Sequence, residues 1–109
     1  MNADQDKIIG LIKDDLKRNY QPLKLFLYGS RSDGTYSDES DYDFVMVVSD
    51  FESSNRLDTQ LEIAKWFRLK LGVDVQVWIY SLKDFSHLKN EFSSIPETAS
   101  STGKEIPLG

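Results

Sequence analysis

Residues 25–48 read LFLYGSRSDGTYSDESDYDFVMVV, two apolar runs joined by a polar loop. The first run, Leu23 to Tyr28, is bounded by Pro22 and Gly29 and has the length of a buried strand rather than a helix. The second, Asp43 to Val48, is apolar after its first residue and β-branched at its end, which predicts a central strand covered on both faces. Between them, Gly29 to Asp43 is rich in Ser, Asp and Gly and has room for at most one helical turn near Arg31 before Gly34. A connection without a crossover helix makes these two strands antiparallel.

Upstream, Asp4 to Tyr20 places Ile8, Ile12 and Leu16 at i, i+4, i+8 and predicts an amphipathic helix, with Asn2 or Asp4 as cap and Pro22 as stop. Downstream, Leu57, Leu61, Ala64, Phe67 and Leu71 predict a helix from Asn55 to Leu71, capped by Ser53, Ser54 or Asn55 and ended by Gly72. Val73 to Tyr80 alternates, with Val73, Val75, Val77 and Ile79 on one face and Asp74, Gln76, Trp78 and Tyr80 on the other. Ser81 and Asp84 form a capping box that opens a last helix through Leu82, Phe85, Leu88 and Phe92. The tail from Ser93 to Gly109 is rich in turn formers, with brief apolar content at Ile106 and Leu108, and reads as partly disordered or as a short edge strand. The expected fold is a small α/β (α+β) domain, a mixed sheet of three to four strands with the helices packed on one side.

At 109 residues the chain holds one core and little more. Its 13 basic and 18 acidic residues give a net charge of −5, which opposes unaided binding of duplex nucleic acid. There is no cysteine, so disulfides and thiolate metal sites are excluded. The N-terminal stretch lacks the pattern of a signal peptide, and no apolar run approaches the roughly 20 residues that cross a bilayer. A cytoplasmic protein without membrane attachment is the expectation.

Chemistry concentrates at the two ends of the loop. Asp41 and Asp43 lie two apart at a strand entrance, so both side chains point to one face. Two such carboxylates repel, and a divalent cation with all-oxygen ligation, Mg2+ or Mn2+, relieves the repulsion. Asp74 joins them if its strand lies beside that of Asp43 in register; otherwise it is an ordinary polar residue on an exposed face. Gly29 and Ser30 directly follow a strand, where backbone N–H groups and a hydroxyl can face a phosphate, although Ser30 equally suits a helix cap. Arg31 is the nearest cation for phosphate oxygens, or a solvent-exposed loop residue. An EF-hand reading of the acidic stretch fails because the required glycine and closing glutamate are missing. Trp66, Trp78 and Tyr80 are candidates for a nucleobase-stacking wall, against the commoner role of core aromatics. His87 falls on an exposed helix face.

Gly29-Ser30, ten intervening residues and Asp41-x-Asp43 resemble the signature of the nucleotidyltransferases related to DNA polymerase beta, with Gly34, Ser40 and Asp74 strengthening the match. The small size narrows the resemblance to the minimal nucleotidyltransferase group, over roughly residues 5–80, with the domain taken as 1–92 and the tail as 93–109. The resemblance implies a mixed sheet flanked by helices, two Mg2+ ions held by the catalytic Asp41, Asp43 and Asp74, and phosphates held by Gly29 and Ser30. It also implies transfer of AMP from ATP, or a nucleotide from another triphosphate, to a protein hydroxyl, and a role as antitoxin beside a helical HEPN partner. The alternative is a non-catalytic antitoxin that neutralises its partner by covering it.

Overall fold

The computed structural model describes residues 3–37, 39–91 and 94–108. Asn2, Asp38 and Phe92, which figure in the expected helix cap, acidic loop and last helix, lie outside the described residues. Helix α1 (Ala3–Tyr20) buries Ile12 and Leu16 and leaves Leu11 exposed, as its period dictates. It ends where Gln21 takes a positive φ of 51° and donates its N–H to the Lys17 carbonyl, 3.2 Å away, one residue before Pro22.

Strand β1 (Lys24–Tyr28) pairs antiparallel with β2 (Tyr42–Val48), setting Leu25 against Met46 and Tyr28 against Asp43. Between them lies the one-turn helix α2 (Ser30–Asp33). Helix α3 (Arg56–Leu71), entered through a 3-10 turn at Ser53–Asn55, carries the chain over the sheet to β3 (Val75–Ser81), which runs parallel to β2. Ser81 caps the next helix as expected, its side chain accepting from the Asp84 N–H at 3.1 Å and opening α4 (Leu82–Leu88).

The tail forms helix α5 (Ile95–Thr102) and strand β4 (Lys104–Glu105), and β4 pairs antiparallel with β1 at the edge of the sheet, in the order β3-β2-β1-β4. The helix is opened by Ser94, whose side chain accepts from the Glu97 N–H at 3.1 Å, with Pro96 in the first turn. Ser94-x-x-Glu97 is a capping box that the turn-rich composition of the tail conceals.

The helices cover both faces of the sheet, not one. Helices α1 and α3 contribute Ile12, Leu16, Ile63 and Phe67 to a core with Leu25, Leu27, Phe44, Met46, Val75, Val77 and Ile79. On the opposite face α4 and α5 contribute Phe85 and Ala99 to a second core with Phe26, Val45, Val47 and Tyr80. The rings of Phe26 and Phe85 stack there at 5.5 Å. The cause is in β2: residues 44–48 are apolar at every position, so a period of two makes both faces apolar and both need cover.

Helix α3 also turns differently from its expected stripe. Ile63 and Phe67 are buried, whereas Leu57 and Leu61 are 65% and 60% exposed. Apolar residues lie all round this helix, so periodicity could not select the face that meets the sheet. A buried carboxylate ties α3 to α1: Asp15 accepts from Lys70 Nζ at 2.8 Å, from Trp66 Nε1 at 3.3 Å and from Arg18 Nη1 at 3.0 Å. Among the described residues no helix is long and apolar enough to cross a membrane.

Candidate active site

The site begins where β1 ends. Gly29 has φ 75° and ψ −158°, backbone angles essentially closed to residues with a Cβ. Its carbonyl accepts from the N–H of Ser32 at 3.1 Å and from the Ser32 hydroxyl at 2.9 Å, which starts α2. Gly29 is itself the helix cap and has no side chain to do it with, so Ser30 is the first helical residue rather than the cap. Gly34, at φ 85°, ends the turn.

Antiparallel pairing of Tyr28 with Asp43 puts the start of β2 beside this turn. A Cβ on Gly29 would lie 3.0 Å from Asp43 Oδ2, so the turn and the carboxylate are in near contact. Burial, and then the charge of Asp41, push the Asp43 carboxyl above its ordinary value. The half-buried Tyr28 phenol, across the strand pair from Asp43, is pushed up by burial, by Asp43 and by Tyr80. Asp41 is half-buried, one step outside β2.

Arg31 points inward. It is 7% exposed, with Nε and Nη2 donating to the Ser40 carbonyl at 3.2 and 2.9 Å and Nη1 donating to Gln5 Oε1 at 3.1 Å. Its guanidinium carbon lies 4.2 Å from the Tyr42 ring centroid and 4.7 Å from that of Tyr36. Gln5 in turn donates to the Arg31 carbonyl at 3.2 Å. The guanidinium thus braces the loop from within, drawing Ser40 back toward α2. Gln5, Tyr36, Ser40 and Tyr42 are partners that sequence reasoning missed, because nothing in a linear pattern joins residue 5 to residue 31.

Asp74 is adjacent by backbone and not by side chain. The Tyr42 N–H donates to the Asp74 carbonyl at 2.9 Å, and β2–β3 register pairs Tyr42 with Val75 and Asp43 with Gln76. Continued one step outward, the register sets Asp41 opposite Asp74. The Asp74 carboxylate, however, is held by Arg68, Oδ1 to Nη1 3.2 Å. Among the described residues no group of three or more acidic, His or Cys side chains is gathered closely enough to hold a metal ion. The structure therefore brings Gly29, Asp41 and Asp43 together and leaves the side chains of Arg31 and Asp74 engaged elsewhere.

The three aromatics do not form one wall. Trp66 lies on α3 against Asp15 and Lys70, Tyr80 lies beneath Arg56 at 4.3 Å, and Trp78 is half-buried on the Tyr80 face of β3. His87 is exposed on α4. A cavity of about 580 Å3 opens between α1 and α3 at Tyr20, Trp66 and Leu69, on the face of the sheet opposite Asp43.

Residues 9–98 match the family model described as nucleotidyltransferase domain. No curated protein matches the chain. Among solved structures, it is similar to a chain in a mutant of the toxin-antitoxin pair MntA-HpeT, with a TM-score of 0.55 and 21% identity, over 96% of this chain and 72% of that one. That likeness is one of fold. The family model spans most of the chain and contains the turn at Gly29, the Asp41/Asp43 pair and the strand that lies beside them, and on this ground the chain belongs to the nucleotidyltransferase domain family.

Proposed function

We propose that this chain is a Mg2+-dependent nucleotidyltransferase that moves a nucleoside monophosphate, AMP from ATP, to a hydroxyl of a partner protein, as the cytoplasmic antitoxin of a HEPN-type helical toxin. The observation that carries the reading is the near contact of Gly29 with Asp43 Oδ2. It puts a side-chain-free turn, which a phosphate can approach, against a carboxylate that burial and a like charge leave short of a cation.

The residues present fit a hard divalent ion, since Asp41 and Asp43 offer oxygen donors from one strand face. A pair of Mg2+ ions held there, or Mn2+ in their place, would supply charge neutralisation to the triphosphate and to the oxygens entering and leaving the α-phosphorus. The Gly29 turn and the Ser30 hydroxyl hold phosphate oxygens, and Asp74, once turned from Arg68, completes the carboxylate set. The acceptor oxygen bonds to the α-phosphorus, the bond from that phosphorus to pyrophosphate breaks, and the hydroxyl proton passes to Asp74. The fold likeness to a chain of a toxin-antitoxin pair supports the antitoxin setting.

Incubation with ATP labelled at the α-phosphate, Mg2+ and a HEPN-type helical protein as acceptor tests the reading. Label is expected on the partner, and not with Asp41→Asn. Equal labelling by that variant overturns the assignment. A second reading, a module that neutralises by covering its partner, draws support from the exposed Leu57, Leu61, Trp66 and Leu69 on α3. It predicts that Asp41→Asn/Asp43→Asn still neutralises the toxin.

A further inference from the structure

The loop's own arginine is buried and bonded to Ser40 and Gln5, whereas an exposed cation from outside the loop, Arg68, meets Asp74. Arg68 lies in the last turn of α3, whose end is fixed by the Gly72 N–H donating to the Arg68 carbonyl at 3.1 Å. The reversal at Gly72 returns the chain past Arg68, and Asp74 meets its guanidinium at 3.2 Å. At the same time the Asp74 backbone is pinned to the entrance of β2 by the Tyr42 N–H.

We propose that Arg68 is a positioning residue for the metal end of the site: it holds the Asp74 carboxylate in the metal-free protein and yields it when a divalent cation binds at Asp41 and Asp43. This rests on the metal reading given above. The two side chains are 63% and 60% exposed, so their ion pair is weak and a divalent ion can displace it at little cost. Because the Asp74 backbone is already beside β2, only the carboxylate has to turn. Another pair at the same end of α3 shows the contrast. Lys70 grips Asp15, whose side chain is 6% exposed and receives two further hydrogen bonds, and that pair serves to dock two helices. Arg68 and Asp74, by contrast, are both more than half exposed.

Mn2+ titration of the whole chain, following free Mn2+ by its paramagnetic resonance signal, tests the proposal. Arg68→Ala is expected to tighten Mn2+ about two- to fivefold, the range an exposed ion pair allows, and Arg68→Lys to stay near the wild-type value. Asp74→Asn should weaken Mn2+, and in that background Arg68→Ala should do no more than Lys65→Ala, which removes the same charge from the same helix. The proposal is overturned if Arg68→Ala tightens Mn2+ no more than Lys65→Ala does, or if its effect persists without the Asp74 carboxylate. The double variant Asp41→Asn/Asp43→Asn separates the two layers. If it binds Mn2+ as the wild type does, the metal reading itself fails; if it loses Mn2+ while Arg68 proves indifferent, only the role of Arg68 falls.

Discussion

Gly29→Ala is the substitution that most directly tests the architecture of the site. The backbone at φ 75° and ψ −158° lies in a region open essentially to glycine alone, and holding alanine there costs about 1–3 kcal/mol. For a domain of this size each kcal/mol lowers Tm by roughly 4–8 °C, so thermal unfolding should fall by roughly 5–20 °C. The added Cβ also meets Asp43 Oδ2 at 3.0 Å. That oxygen is the free end of a side chain and can move, so the collision adds little to the loss of stability. Its consequence is for the site, because the carboxylate must give by a few tenths of an ångström from the position in which it would share a cation with Asp41. Gly34→Ala supplies the comparison: at φ 85° it carries left-handed strain of about 1–2 kcal/mol, yet its Cβ meets nothing within 4 Å. Thermal melts and Mn2+ titrations of both variants should show stability lost in both and metal affinity lost in Gly29→Ala alone. Equal Mn2+ affinity in the two variants would refute the reasoning that joins the turn to the carboxylate.

Other expectations follow from the same geometry. Burial by itself would raise the Asp15 carboxyl, but hydrogen bonds from Lys70 and Trp66 and the charges of Lys70 and Arg18 outweigh it and hold the carboxyl below its ordinary value. A depressed carboxylate stabilises above the unfolded-state value and loses that contribution as pH falls through its own value. Asp15→Asn should therefore cost about 1–3 kcal/mol at neutral pH by urea unfolding, with the gap to wild type closing in acid; a gap independent of pH would count against the ion pair. Arg31→Met should destabilise by about 2–3 kcal/mol, because it strips the Ser40 carbonyl and Gln5 of charged partners, and hydrogen exchange should rise across residues 35–42; a fully stable variant with weaker ATP binding would instead make Arg31 a phosphate contact. Ile63→Ala should cost about 2–5 kcal/mol in denaturant, whereas Leu61→Ala should stay within about 0.5 kcal/mol, and the reverse order would place the wrong face of α3 against the sheet.

Much of the fold was legible in local chemistry. Apolar runs bounded by Pro22 and Gly29 mark β1, alternation marks β3, and the capping box at Ser81 marks the start of α4, because each signal lies within a few residues of the element it specifies. The tail was harder to read: Ser94 and Glu97 carry a short-range helix signal amid residues that otherwise favour turns. The face of α3 was not legible, since Leu57, Leu61, Ile63 and Phe67 are equally apolar and only docking against β2 and β3 distinguishes them.

The sequence by itself determined the composition of the site: a glycine and a serine after one strand, two aspartates at the entrance of the next, and the family to which that spacing belongs. Tertiary structure decided what those residues face. Antiparallel pairing of Tyr28 with Asp43 brings the turn to the carboxylate across fourteen residues of intervening chain. Burial beneath Tyr36 and Tyr42 makes Arg31 a brace, and the reversal at Gly72 delivers Asp74 to Arg68. Strand register and side-chain direction depend on contacts between segments far apart in the chain. Local propensity does not encode those contacts, so residue types are read from the sequence and their partners from the fold.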